Sequence, residues 1–437
     1  MSFSAALFLG GFVVGCWMAF TRHPVYGLLT YVAALYIDPT GQWWGTLLQG
    51  VRWELVAAAV TLLAMYVHKV QFRSLAIFRS RAFWGFVVFT IWIVIQSSWA
   101  LDPISHGQLV QTWVKFLIVC IMICGCIDSW NHFRMFLWMQ VLGCFYLGWL
   151  AYTQYSGGRF EGFGTGSFGE ANAGALELVI GLILAGSLFL AGTWRSRIAL
   201  LAPIALIADG IVTTVSRSGF LAAAGALFVY NIFAPKGYRK RVAVLSVIGV
   251  LCFLSLTTTG YWNRMQTIEY EGADIPGIDT GGGRLDIIRA QWLMFKEHPF
   301  GCGHMCTSFL SPQFIAKQLL TGGERASHNT FMTMLVDQGI PGAVLYVALL
   351  MWTYRTLRVA ARKGPTLGRF PVAALPALAA AMTAITIGDL FVQYPKLEVR
   401  VWFISLLIVY VELALKDTQT ARDLPAQVPA RTHSPAM

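Results

Sequence analysis

Charged side chains are scarce in this 437-residue chain. Asp, Glu, Lys and Arg make up 12% of it and hydrophobic residues 57%, whereas an ordinary soluble domain carries about 25% charge. That scarcity excludes a soluble protein, and no stretch reads as a soluble domain. No internal repeat stands out. No Lys or Arg precedes the first apolar stretch, which argues against a cleaved signal peptide. Val13–Cys16 has the outline of a lipoprotein cleavage box but lacks the basic flank such a box needs. Asp-x-Asp occurs nowhere, so the metal-holding motif of nucleotide-sugar transferases is missing. Six of the 8 cysteines (Cys16, Cys120, Cys124, Cys126, Cys144 and Cys252) fall in apolar blocks and read as small hydrophobes. Cys302 and Cys306 lie in "HPFGCGHMC" with His298 and His304. Their spacing fits no standard zinc template, and neither a metal site nor a disulfide is expected there.

What is present is a series of apolar blocks, at 5–20, 25–37, 54–68, 83–100, 109–126, 134–153, 172–192, 197–213, 219–234, 242–258, 331–355, 371–388 and 398–415. A bilayer core needs about 20 residues of helix. The blocks therefore predict an all-α polytopic membrane protein with about 12 transmembrane helices, 11–13 allowed. The short block 25–37 reads as re-entrant or interfacial. "HKVQFRSLAIFRSR" (68–81), "TWRSR" (193–197), "PKGYRKR" (235–241) and "YRTLRVAARKGPTLGR" (354–369) alternate so as to share one side, the cytoplasm by the bias of basic residues. The net charge of +11 is then a topology signal, and no nucleic-acid partner is expected. The chain divides into transmembrane helices over 1–258, one large periplasmic loop over 259–330, further transmembrane helices over 331–415, and a disordered cytoplasmic tail over 416–437.

The 259–330 loop is unusual, since loops that long are commonly functional. Trp262, Trp292, Phe295, Phe300 and Phe309 predict that it folds against the membrane domain. "GGGRLDIIRAQWLMFKEHPF" reads as a Gly-rich turn and an amphipathic helix over about 284 to 297, with Leu285, Ile288, Trp292 and Phe295 at helical spacing. Glu269, Glu271, Asp274 and Asp279 read as a solvated acidic turn. The loop ends in "RASHNTFMTMLVDQGIPG" (325–342), where a histidine stands at the mouth of an apolar helix. Asp209 and Asp389 lie in or near membrane helices, where an acid is usually functional or paired. Asp389, near Lys396 and Arg400, either orients an arginine or makes a structural ion pair.

The pattern His328-Asn329, six residues, then Val-Asp-Gln-Gly-Ile-Pro-Gly resembles the signature of the O-antigen ligase and polymerase superfamily. Three further stretches are similar to that family in the same order: "GRFEGFGTGSFGEANAGALEL" (158–178), "TVSRSGFLAAA" (214–224) and "GGRLDIIRAQWLMFKEHPFGCG" (282–303). Glu170-Ala-Asn172 stands where relatives often carry Asn-Pro-Asn or Asp-Pro-Asn. The early "RHPVYGLLTYVAALYIDPTGQWWG" (22–45) looks like the exosortase-associated O-glycosylation branch, which bears on the acceptor.

The resemblance implies a GT-C-like, metal-independent glycosyltransferase of the bacterial inner membrane, with no cofactor. Such an enzyme takes a glycan from an undecaprenyl diphosphate carrier on the periplasmic face. It passes the glycan to a hydroxyl, in ligases one on the lipid A core. Arginine suits the diphosphate, because guanidinium stays charged and binds phosphate oxygens bidentately. Arg217 and Arg284 are the first candidates and Arg159 and Arg325 the next. Arg284 stands at a helix start, where free backbone N–H groups add anion affinity. His328 is the candidate base, since imidazole titrates near neutrality. Asn329, Asp389 and Asn172 are supporting residues. The plainer alternatives are arginines that snorkel and a histidine beside a helix cap supplied by Ser327 or Asn329. A polymerase, a protein O-oligosaccharyltransferase and a lipid-linked glycan transporter are the rival functions. A transporter would place its polar groups at mid-membrane in two repeated halves.

Overall fold

Short polar residues ahead of apolar blocks set where the helices begin. Ser2, Ser80, Asp102, Ser129, Thr193, Ser216 and Asn329 each accept a backbone N–H of the first turn behind them, satisfying a donor that the helix leaves open. The structure, a computed structural model, describes residues 2–71, 76–161, 170–257, 259–266, 284–317, 320, 323–363, 368–392 and 398–423. Among these residues the helices in chain order are α1 (Phe3–Thr21), α2 (Val25–Ile37), α3 (Trp53–Val67), α4 (Arg81–Gln96), α5 (Pro103–Cys126), α6 (Trp130–Gln154), α7 (Ala171–Ala191), α8 (Trp194–Thr213) and α9 (Arg217–Phe233). They continue with α10 (Arg239–Leu256), α11 (Thr259–Gln266), α12 (Arg284–Glu297), α13 (Cys306–Phe314), α14 (Thr330–Asp337), α15 (Gly339–Lys363), α16 (Arg369–Gly388) and α17 (Glu398–Asp423). No β-strand occurs among the described residues.

Seven of these helices (α1, α5, α6, α7, α8, α15 and α16) are long and apolar enough to cross a membrane. α3, α4 and α9 are apolar but shorter. The chain is thus an all-helical, multi-pass membrane protein. Contacts define two ends of the bundle. At one end Arg79 pairs with Glu412 at 3.1 Å, Trp130 donates to Asp417 at 2.8 Å, and Arg134 lies over the Phe370 ring at 4.7 Å. At the other, Gln96 donates to the Asp337 carbonyl at 2.7 Å, Phe160 N to Thr213 O at 3.0 Å, and Thr330 N to Asp389 O at 2.7 Å.

Four expectations change. First, α2, short enough to suggest a surface or re-entrant segment, is a core helix. Residues from Val25 to Tyr36 are mostly buried against α1, α3 and α6, and a Cβ on Gly143 of α6 would come within 2.3 Å of the Tyr36 ring. Second, the expected single helix over 331–355 breaks into α14 and α15 at Gly339. That residue has φ 68°, and a Cβ there would meet the Phe300 carbonyl carbon at 2.2 Å, so only glycine lets the 299–301 turn pass so close. Third, α12 has the expected bounds but does not bury the Leu285–Ile288–Trp292–Phe295 stripe. Ile287, Ala290, Gln291 and Met294 are the residues buried against α13 and α14. Fourth, Cys302 and Cys306 form a disulfide with Cα atoms 5.7 Å apart. Gly301, Gly303 and Met305 all have positive φ, and this coiling folds the chain back on itself between the two cysteines.

The helix that organises the bundle is α16. It packs against α7 and α9, and its buried face is largely alanine. Small residues let membrane helices approach closely. A Cβ on Gly219 at the start of α9 would meet Ala175 of α7 at 2.8 Å, and one on Gly388 at the end of α16 would meet Leu176 of α7 at 2.9 Å. The first turns of α7, the start of α9 and the end of α16 are therefore in contact at one end of the bundle.

Candidate functional site

Two hydrogen-bonded nodes sit where those three helix ends meet. The first is centred on Asn172. Its Oδ1 accepts from Arg159 Nη2 at 2.9 Å and from Ser216 Oγ at 2.8 Å. Arg159 also pairs with Glu161 at 3.3 Å. Ser216 caps α9 by accepting from Gly219 N at 3.1 Å, and its hydroxyl lies 3.0 Å from that of Ser218. Val215, just before the cap, has φ 45°. The "VSRS" turn is thus coiled tightly, and Arg217 is the first residue of a capped helix whose N-terminal dipole favours an anion. Three sequence candidates, Arg159, Asn172 and Arg217, are brought together here.

The second node surrounds His328. Its φ of 49° places a non-glycine residue in the left-handed region, which costs roughly 1–2 kcal/mol and persists only where neighbours enforce it. They do so on both sides. Upstream, Ser327 Oγ accepts from Gln291 Nε2 of α12 at 2.7 Å and from Asn329 N at 3.3 Å, and donates to Asn329 O at 2.9 Å. Downstream, Asn329 Nδ2 donates to Leu390 O at 3.4 Å, Thr330 N to Asp389 O at 2.7 Å and Thr330 Oγ1 to Val392 O at 2.7 Å. Asn329 is the cap of α14, accepting from Met332 N at 3.0 Å, so His328 stands one residue outside the helix and does no capping itself. Asp389 accepts hydrogen bonds from Arg400 and Tyr346, and the Arg400 guanidinium lies over the Tyr346 ring at 5.1 Å. The expected Asp389–Arg400 pairing is present. Lys396, the Arg284 side chain and the acidic run at 269–279 lie outside the described residues.

The Val-Asp-Gln part of the pattern has a structural role. Asp337 is fully buried and accepts from Met305 N at 3.0 Å and Thr307 N at 3.2 Å. It anchors the disulfide turn, with His304 Nδ1 3.7 Å away. His304 N in turn donates to His106 Nδ1 at 3.0 Å. Trp92 Nε1 donates to Gln338 O at 2.9 Å. Arg325, by its backbone N, donates to Ser311 Oγ of α13 at 2.8 Å.

Sequence reasoning missed Gln291, inside the family-like 282–303 stretch but not singled out there, and the coiled backbone at His328. Neither leaves a signal that spacing can reveal. For a metal, the "HPFGCGHMC" cysteines are committed to their disulfide. At the opposite end of the bundle His23, Asp128 and His132 bring their ligand atoms within 4.8 Å of one another. There His132 Nδ1 lies 2.7 Å and His23 Nε2 3.2 Å from the Asp128 carboxylate, while His23 Nδ1 accepts from Val25 N at 3.2 Å. That tautomer leaves His23 Nε2 as a donor to Asp128, so the group is satisfied as a hydrogen-bonded clamp.

An all-helical, multi-pass bundle thus brings Arg159, Asn172 and Arg217 together at one end, the end that also carries the left-handed His328. Residues 202–347 match the family Wzy_C, described as O-Antigen ligase. This match over part of the chain bears out the resemblance read from the sequence and supports a membrane glycosyltransferase of the O-antigen ligase/polymerase type. The matched stretch contains Arg217, Arg284, Arg325, His328 and Asn329, while Arg159, Asn172 and Asp389 lie outside it. No curated protein matches the chain.

Proposed function

We propose that the protein moves a glycan from undecaprenyl diphosphate to an acceptor hydroxyl on the periplasmic face, ligating O-antigen to the lipid A core oligosaccharide. In this reading about 12 helices cross the bacterial inner membrane, and the 259–330 segment is the large periplasmic loop. The observation that carries it is the enforced left-handed backbone at His328, inside the matched segment and beside the helix ends that hold Arg159, Asn172 and Arg217. Strain of this kind clusters at functional sites. The Cys302–Cys306 disulfide supports an oxidising compartment for that end of the bundle.

In the proposed reaction His328 accepts the proton of the acceptor hydroxyl as its oxygen attacks the anomeric carbon. The bond from that carbon to the diphosphate oxygen breaks, and undecaprenyl diphosphate leaves with the electron pair. Arg217 and Arg284, with Arg159 and Arg325, take up the charge that develops, the part a divalent cation plays in other transferases. His328 then releases its proton to water. Asp389 and Asn329 hold the histidine segment, and Asn172 holds Arg159 and the cap ahead of Arg217.

Deleting the gene tests the reading. Polymerised glycan left on its lipid carrier supports ligation. Single units mark a polymerase, loss of glycan from proteins alone marks a protein O-oligosaccharyltransferase, and glycan trapped on the cytoplasmic leaflet marks a transporter.

A further inference from the structure

α12 is three-sided. At about 100° per residue, Ile287, Ala290, Gln291 and Met294 form one face, and that face is buried. Beside it runs Leu285, Ile288, Trp292 and Phe295, of which Ile288 and Phe295 are half-buried and Phe295 packs partly on the same core. Leu285 is 66% and Trp292 47% exposed, and the Trp292 and Phe295 rings lie 5.3 Å apart. The third side carries Asp286 and Arg289, paired at 3.2 Å, with Lys296 and Glu297 and one apolar residue among them, Leu293, all exposed. A helix lying in water would not keep so apolar a flank open, and a helix inside the bilayer would not keep the charged one.

The height of α12 is fixed by its continuation. His298 N donates to Met294 O at 3.0 Å as the helix ends, and the next three residues are stitched to membrane helices. Ile340 N of α15 donates to Pro299 O at 2.9 Å. Gln96, the last residue of α4, donates to Phe300 O at 3.3 Å, and Trp99 donates to Gly301 O at 3.0 Å. Phe300 is 62% exposed at this level. It extends the apolar outer surface that α4 presents through Ile91 and Ile95 and α15 through Ile340 and Val344.

We infer that α12 is an interfacial helix, with its Leu285–Ile288–Trp292–Phe295 flank seated in the lipid of the adjoining leaflet and its Asp286–Arg289–Lys296–Glu297 flank in water. The partner is the bilayer itself, because the flank continues the exposed apolar surface of α4 and α15, and because Trp beside Lys and Arg suits the headgroup boundary. The helix then carries Arg284 at headgroup height while Gln291 grips the histidine segment from the other side.

The inference does not depend on the reaction and is tested without it. In the full chain with Cys16→Ala and Cys252→Ala, the remaining free cysteines are buried. Single variants Leu285→Cys, Trp292→Cys, Arg289→Cys and Lys296→Cys are spin-labelled in nanodiscs of phosphatidylethanolamine and phosphatidylglycerol. Collision with oxygen and with a water-soluble nickel chelate is then measured. Labels at 285 and 292 should show an oxygen-to-nickel ratio several-fold above those at 289 and 296. Equal nickel access at all four positions overturns the inference. So does exclusion of both reagents from 285 and 292, which would mean that protein covers the flank. Two positions per flank guard against one label disturbing the helix.

Discussion

Asn172 offers a pair of substitutions that differ in the charge they place beside Arg217. Its Oδ1 accepts from Arg159 Nη2 at 2.9 Å and Ser216 Oγ at 2.8 Å. Asn172→Ala loses one bond to a charged donor, typically about 1.5–3 kcal/mol, and one neutral bond of about 0.5–1.5 kcal/mol. The Arg159 side chain is 29% exposed, so water replaces part of the first. Ser216 keeps its contacts with Ser218 and Gly219. The net loss should be about 1–3 kcal/mol. Asn172→Asp keeps the two bonds to its oxygen but loses the amide's hydrogen bond to the Glu170 carboxylate and sets a second acid beside it, so it too should lower the melting temperature. It also sets a carboxylate beside the turn that presents Arg217. A like charge near a bound diphosphate costs on the order of 2–4 kcal/mol at an effective dielectric near 20, or about 30- to 700-fold in donor affinity. The assay is transfer from a purified lipid-linked donor in proteoliposomes, with donor KM and thermal unfolding followed on one preparation. If Asn172→Asp keeps a donor KM equal to wild type, whether or not it loses stability, there is no anion site at this node.

Arg217→Lys should lower transfer at least tenfold although the charge is kept, because ammonium lacks the planar fork that grips two phosphate oxygens; donor KM is the readout. Transfer should persist in excess EDTA, and abolition by EDTA with recovery on adding magnesium or manganese would show that arginines do not replace a cation. Gln291→Met should leave stability within about 1 kcal/mol, since the lost bonds to Ser327 and Thr307 are offset by removing the buried, unpartnered Gln291 Oε1; kcat should fall with donor KM retained, and an unchanged kcat would free the histidine segment of this clamp. At the other end, hydrogen bonds from His23 and then His132 hold the Asp128 carboxyl well below the usual carboxylate range. A lowered pKa stabilises the fold above the ordinary value of about 3.9 and loses that effect as pH falls through and below it. Asp128→Asn should therefore lower the melting temperature at neutral pH, with the difference from wild type shrinking as pH drops below about 4; a constant difference across that range would exclude the clamp.

Much of the site was legible because its chemistry is local. The bounds of α12, the loop–helix junction at His328 and the pairing of Asp389 with Arg400 follow from residue type and spacing, and the "VSRS" stretch from the family resemblance, though not its cap. What escaped is set by tertiary context. Periodicity finds the Leu285–Trp292 stripe but does not say whether protein or lipid receives it, since both are apolar. The break at Gly339 depends on how closely the 299–301 turn approaches, and the Cys302–Cys306 disulfide on the positive-φ residues around it. α2 looked too short to matter, yet Tyr36 fills the space left by Gly143 in a helix more than a hundred residues away. The left-handed backbone of His328 has no sequence signature, because even the residue types enriched in that region adopt it only occasionally.

That backbone also supplies the most direct measurement. Replacing His328 with glycine removes the imidazole and relieves a conformation that costs roughly 1–2 kcal/mol, against about 0.5–1 kcal/mol for glycine's extra chain entropy. Transfer rate and thermal midpoint are measured together for wild type, His328→Ala and His328→Gly in proteoliposomes. The expected result is transfer lost in both variants while His328→Gly melts at or above the wild-type temperature. Transfer by His328→Gly near the wild-type rate, or activity and stability falling together in both variants, would contradict a catalytic histidine and leave it a structural one.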